Sequence, residues 1–146
     1  MMRILGLDYG SVTVGVAVSD ALGLGAQPVM TIRRSEENKL RRTLAQIAEL
    51  VGSYSAELIV LGLPRNMDDS CGERARRTLE FKEKLEKRVS VPVILWDERL
   101  TTAEADSILD EAGYSRDRNE RKKIIDQIAA QLILEDYMNA SGHGDK

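Results

Sequence analysis

Asp8, Glu98 and Asp126 are carboxylates placed where apolar side chains would be expected. Asp8 closes the apolar run Ile4-Leu5-Gly6-Leu7, and a buried carboxylate costs several kcal/mol, roughly, unless it is paired or bound to a cation. Capping of the following turn is an equally good reading of Asp8 taken alone. Glu98 follows the buried run Val93–Trp96, at a strand end of the kind where open α/β sheets place ligands. Asp97 shares that strand end, so spacing leaves two candidates there. Asp126 shares a helical stripe with Ala129, Ala130, Ile133 and Tyr137, so it points inward, and the two alanines allow close approach of the helix to a sheet. A first-turn aspartate answering the helix dipole is the plainer alternative. A first strand lying beside the later strands puts Asp8 and Glu98 side by side, with the last helix dropping Asp126 onto them. Three clustered carboxylates repel, so they persist best around divalent cations, which as a pair about 4 Å apart can hold an attacking water and stabilise a leaving oxygen. Oxygen ligands without His or Cys select Mg²⁺ or Mn²⁺, and such sites suit hydrolysis of phosphodiesters.

The rest of the composition narrows the chemistry. The chain has 146 residues, 42% hydrophobic and 31% charged, which fits one soluble domain with its own core. Lys and Arg number 21 against 24 Asp and Glu, a net charge of −3, so binding to nucleic acid must come from a local patch. The single cysteine, Cys71, excludes an internal disulfide framework and a Cys-based zinc cluster, and fits a reducing cytoplasmic setting. The single histidine, His143, lies in the polar tail 141–146, which reads as flexible, so Ser–His–Asp and Cys–His chemistry is disfavoured. No charge-free stretch is long enough to span a bilayer, and no signal-peptide layout is expected.

The elements that must position these groups follow from periodicity. Arg3–Asp8 reads as a buried strand, Thr13–Ser19 as its hairpin partner and Gln27–Arg33 as a weaker third strand. Ser35 is the expected N-cap of a helix over 36–51. Glu57–Gly62 and Pro92–Trp96 read as parallel-type buried strands. Capping-box spacings at Ser70/Glu73 and Thr101/Glu104 open two further helices, and a loop over 113–121 leads into a last helix over 122–139. The expected fold is α/β, one mixed five-stranded sheet with the first three strands antiparallel and the later ones parallel, flanked by helices.

Asp8-Tyr9-Gly10-Ser11 with Gly15-Val16-Ala17-Val18-Ser19-Asp20 resembles the opening motif of the YqgF family. That family comprises RuvC-like proteins described as Holliday junction resolvases and as pre-16S rRNA nucleases. Gly62-Leu63-Pro64-Arg65-Asn66, Asp97-Glu98-Arg99-Leu100-Thr101-Thr102 and Asp126-Gln127-Ile128-Ala129-Ala130 are similar to its later motifs, in family order. The resemblance implies a single RNase H-like nuclease domain over 1–140. It implies that Asp8, Glu98 and Asp126 are metal-binding catalytic carboxylates. It also implies cytoplasmic action on structured nucleic acid, either 5′-end maturation of 16S rRNA or cleavage of branched DNA, by a monomer or homodimer. Thr13 stands where the family usually carries a basic residue.

Several groups could hold a substrate. Arg116, Arg118, Arg121, Lys122 and Lys123 give the segment 113–123 five cations against two carboxylates, immediately before Asp126. A solvated surface loop is the plainer reading of that segment. Arg65, Asn66 and Arg99 follow strand ends near the expected site, and Gly10 and Ser11 allow close approach of a backbone. Two other classes compete: an ATP-dependent kinase of the actin-like group, which needs two domains, and a non-catalytic module of the same fold that binds nucleic acid.

Overall fold

A computed structural model describes residues 3–10, 12–20, 25–64, 72–98, 108–111 and 118–141; within them the side chains of Pro64, Asp97, Glu98, Ser141 and residues 118–123 are not described. Five strands build one sheet: β1 (Arg3–Tyr9), β2 (Thr13–Ser19), β3 (Ala26–Arg33), β4 (Ala56–Pro64) and β5 (Val93–Glu98). Their spatial order is β3-β2-β1-β4-β5. β1 pairs antiparallel with β2, and β2 with β3, while β1–β4 and β4–β5 are parallel. The hairpins produce the first pattern. The helical crossovers α1 (Arg41–Tyr54) and α2 (Glu73–Glu86) produce the second. This is the mixed sheet expected from the sequence.

Strand alternation sorts the core onto two faces. On one, Leu5, Leu7, Val14, Val16, Ile59 and Leu61 pack with Leu44 and Ile47 of α1 and Phe81 and Leu85 of α2. On the other, Ile4, Ala17, Leu58 and Val60 receive Ala130, Ile133, Leu134 and Met138 of the last helix, α3 (Arg118–Ser141). Residues 108–111 form a helical turn with Leu109 buried. Among the described residues no helix is long and apolar enough to cross a membrane.

Two boundaries differ from the sequence reading. α1 begins at Arg41 rather than at residue 36, and Leu40, not Ser35, stands at its N-cap without a side-chain cap. A local bond and a core contact hold the intervening segment out of the helix: Arg34 Nε donates to the Glu37 carbonyl three residues on at 3.2 Å, and Leu40 is buried. α3 begins at Arg118, so the expected loop over 113–121 is already helical from residue 118. From Arg118 to Lys123 the sequence offers helix formers and no Gly or Pro to delay the start.

Candidate active site

Asp8 is the penultimate residue of β1 and faces Gly15 of β2 across the antiparallel ladder. Gly15 has no side chain because the backbone of α3 rests there. A Cβ built on Gly15 overlaps the carbonyl of Asp126 and comes 3.1 Å from its Cα. Gly6, two residues before Asp8, seats the next turn of the helix: its added Cβ meets Leu134 Cβ at 2.8 Å and the Ala130 carbonyl at 2.9 Å. Two glycines inside strands therefore let α3 approach the sheet closely and bring Asp126 to the strand pair that carries Asp8. Oδ2 of Asp126 is shut off from solvent. The inward stripe anticipated Asp126. The strand glycines, which mark close backbone approach, were the signal left unread.

Polar contacts fix α3 along its length. Gln127 Nε2 donates to Thr31 Oγ1 at 3.3 Å, Gln131 Nε2 to the Ala26 carbonyl at 2.9 Å, and Ala26 N–H to Glu135 Oε2 at 3.3 Å. These partners, spaced by four along α3, attach one side of the helix to β3. On its other side Trp96 Nε1 donates to Asp136 Oδ2 at 2.7 Å, and the indole meets Tyr137 edge-on at 5.5 Å. Rotation of the helix about Asp126 would break one set or the other.

Glu98 is the last residue of β5 and pairs in register with Pro64. It does not lie beside Asp8 as the sequence reading expected, because β4 runs between β1 and β5. Leu7 aligns with Leu61 and Gly62 with Trp96, so Gly62 occupies the strand between them, one position beyond Leu61. By strand alternation, position 98 shares the sheet face of Ile94 and Trp96, which pack with α3, and position 97 falls on the opposite face. Alternation therefore favours position 98 over position 97 as the one on the face of α3. Among the described residues no group of three His, Cys, Asp or Glu side chains could hold a metal ion, and the Glu98 side chain is not among those described.

The turn after Asp8 is held by a residue the sequence reading missed. Arg34, 8% exposed, donates from Nη2 to the Gly10 carbonyl at 2.7 Å, while its backbone N–H donates to the Val12 carbonyl at 2.8 Å. Gly10 N–H closes the turn on the Thr13 carbonyl at 2.7 Å. The Arg34 guanidinium lies 4.8 Å from the centre of the Tyr9 ring, and that ring stacks on Phe81 of α2 at 4.3 Å. Arg74 covers the same ring at 5.2 Å and donates from Nη2 to Glu37 Oε2 at 2.7 Å. The hydrogen bond from Arg74 holds the Glu37 carboxyl below the usual carboxylate range, and burial pushes the Tyr9 hydroxyl up. Thr13 is buried and pairs across the ladder with Arg33.

Of the expected nucleic-acid contacts, Gly10 lies in the turn held by Arg34. Arg118, Arg121, Lys122 and Lys123 lie on the opening turns of α3 rather than in a loop. Ser11, Arg65, Asn66, Arg99 and Arg116 lie outside the described residues.

Residues 2–140 match the model of the RuvX family, described as Holliday junction resolvase. The chain belongs to the RuvX family. A Lachnospira eligens protein named "Putative pre-16S rRNA nuclease" is 55% identical over 139 residues, covering 95% of this chain and 98% of the relative. A Lactobacillus johnsonii protein of the same name is 51% identical, covering 96% and 97%. Thermus thermophilus RuvC in complex with a Holliday junction substrate superposes with a TM-score of 0.60 at 16% identity, over 97% of each chain. The fowlpox virus Holliday junction resolvase does so with a TM-score of 0.55 at 15% identity, over 95% of this chain and 99% of the other. These likenesses show that the chain shares the fold of RuvC.

Proposed function

We propose that this RuvX-family chain is a Mg²⁺- or Mn²⁺-dependent nuclease that hydrolyses phosphodiester bonds in structured RNA, acting in the cytoplasm at the 5′ end of pre-16S rRNA. The observation that carries the reading is the seating of the Asp126 backbone on Gly15, the cross-strand partner of Asp8. The backbone of Asp126 thereby reaches the strand pair that carries Asp8, which supports the reading that the two carboxylates share one site, and the face of β5 that carries position 98 supports Glu98 as the third.

The donors suit a hard divalent cation. They are all oxygen, carry no competing His or Cys, and include an Asp126 oxygen already shut off from water. Asp8, Glu98 and Asp126 would hold the ion. When bound, it lowers the pKa of a water nucleophile and stabilises charge on the leaving oxygen. The chain's own part is geometric. Arg34 ties down the turn after Asp8, the paired contacts of α3 fix Asp126, and Gly62 leaves the sheet between Asp8 and Glu98 clear of a side chain. Arg118, Arg121, Lys122 and Lys123, on the opening turns of the helix that carries Asp126, are read as contacts to the phosphate backbone, with Gly10, Ser11, Arg65, Asn66, Arg99 and Arg116 as further contacts.

The relatives' names favour ribosomal RNA as substrate. The family description and the RuvC fold favour a second reading, resolution of four-way DNA junctions, which requires two cuts and hence a homodimer. One experiment tests both: precursor 16S rRNA and a four-way DNA junction are incubated with the protein in Mg²⁺, Mn²⁺ or EDTA, alongside Asp8→Asn and Glu98→Gln. The expected result is Mg²⁺-dependent cleavage of the RNA, lost in both variants with the fold intact. Cleavage of the junction alone favours the second reading. Unchanged cleavage in both variants refutes the carboxylate centre.

A further inference from the structure

A cavity of about 560 Å³ opens at the junction of β3 and α1. Arg33, Arg34, Lys39, Arg41 and Arg42 line it, and no carboxylate is among its lining residues. The local acids point to other partners. Glu36 pairs with Lys39 at 3.1 Å, and Glu37 is drawn away to Arg74 and Arg77 of α2. Arg33, Arg41 and Arg42 are exposed and make no ion pair with any described residue. α2 shows what an ordinary solvated face looks like in this chain. There Arg76, Arg77 and Lys82 are matched by Glu73, Glu80 and Glu86 one turn away. The β3–α1 junction has the cations without the matching acids.

The backbone adds to the same field. α1 opens at this cavity with no acidic residue in its first turn and no side-chain cap, so its first N–H groups and the positive end of its dipole remain available to an anion. Placement gives the cavity a use. Arg33 pairs with Thr13 at the same end of the sheet as Asp8, two strands over, a lateral distance of about 10 Å, and two residues further along. Arg34 joins the two regions directly through its bond to the Gly10 carbonyl. An extended run of phosphates leaving the carboxylate site along the sheet edge would reach Arg33 and then the rim formed by Arg41 and Arg42.

We propose that the β3–α1 cavity is a phosphodiester-backbone subsite, with Arg33, Arg41 and Arg42 contacting successive phosphates of the bound nucleic acid. The proposal rests on the nuclease reading and deepens it, since it adds a substrate-holding surface separate from the basic start of α3. Backbone recognition requires charge at this location and is indifferent to base or sugar.

The test measures binding of the full-length Asp8→Asn protein to a fluorescein-labelled single-stranded RNA and to a DNA of the same sequence, by anisotropy over a salt series. The triple variant Arg33→Ala/Arg41→Ala/Arg42→Ala is compared with Arg76→Ala/Arg77→Ala/Lys84→Ala, which removes equal charge from α2. Circular dichroism verifies both folds. The cavity variant is expected to weaken binding roughly tenfold or more and to lower the slope of log K against log salt by about 2 to 3, on RNA and DNA alike. The α2 variant is expected to leave the slope unchanged. Equal effects of the two variants, or an unchanged slope in the cavity variant, overturn the subsite while leaving the nuclease reading standing. A loss confined to RNA overturns the phosphate assignment. Failure of the Asp8→Asn protein to bind either strand overturns the nuclease reading as well.

Discussion

Gly15→Ala is the smallest change that attacks the seating of α3. The added methyl overlaps the carbonyl carbon and oxygen of Asp126 and lies 3.1 Å from its Cα. These are backbone atoms of a helix anchored to both β3 and β5, so no side chain can rotate away to relieve the overlap. Relief requires α3 to lift by about 1 Å or more at Asp126, a displacement that costs roughly 10²-fold when it falls on a catalytic group. Overpacking of this kind destabilises by about 3 kcal/mol, the upper part of its usual range. For a chain of this length that is a fall in Tm of roughly 6–12 °C. Gly52→Ala serves as the control, because Gly52 lies inside α1 with nothing within 4 Å of an added Cβ. It should leave cleavage unchanged and stabilise by about 0.5–1 kcal/mol. Thermal unfolding gives the stability, and cleavage measured well below Tm gives the activity. Trp96, the chain's only tryptophan, reports by fluorescence whether α3 stays docked on β5. Wild-type Tm and wild-type cleavage in Gly15→Ala would refute the argument that this glycine exists to seat Asp126.

Further outcomes follow from the turn after Asp8 and the cluster beneath it. Arg34→Lys keeps the charge but not the fork that reaches both the Gly10 and Glu37 carbonyls, so urea unfolding should show a loss of about 1–2 kcal/mol. Gly6→Ala must open contacts at 2.8 and 2.9 Å by about half an ångström against Leu134 and Ala130. It should cost about 1–2 kcal/mol and less activity than Gly15→Ala, because those contacts lie at least a turn from Asp126. Glu37 is held ionised by Arg74, so its contribution is present above the usual carboxylate range and disappears as the pH falls through its lowered value. Glu37→Gln should therefore cost about 1 kcal/mol at pH 7, and the gap from wild type should close in acid. A gap that stays constant with pH would contradict this.

Most of the fold was legible because the strands carry their environment in their composition. Thr13–Ser19 reads as a strand from its alternation of small and apolar residues, and the structure forms it over the same span. Glu57–Gly62 and Pro92–Trp96 read as buried strands from their unbroken apolar runs, and both extend by two residues toward the site. What the sequence hid was tertiary. Ser35 has the right chemistry for an N-cap, yet Arg34 captures the Glu37 carbonyl and Leu40 enters the core, which delays α1 to Arg41. Helix propensity carries neither the side-chain capture of that carbonyl nor the burial of Leu40. Strand order was hidden for the same reason: nothing in the spacing of Asp8 and Glu98 reveals that β4 inserts between them.

The candidate site divides in the same way. The placement of Asp126 against the sheet was readable from its position on an apolar stripe, because helical spacing makes an inward aspartate conspicuous. Gly6 and Gly15 were readable in principle, since glycine inside a strand weakens it unless another backbone approaches. Which of positions 97 and 98 faces α3 depends on which face of β5 the helix covers, which the sequence does not supply. Arg34 and the cations around it were concealed by ordinary charge counting. Residues 33–42 carry five cations and two carboxylates, the same net +3 as segment 73–88 with its seven and four, and only the three-dimensional pairing distinguishes the two.

Asp8, Glu98 and Asp126 are proposed to converge on one divalent-metal site. Mn²⁺ binding followed by electron paramagnetic resonance tests it without any substrate. The account predicts saturable binding by the wild-type protein, competed by Mg²⁺ and weakened by at least roughly tenfold in each of Asp8→Asn, Glu98→Gln and Asp126→Asn. Wild-type Mn²⁺ affinity in any one of the three variants would contradict it.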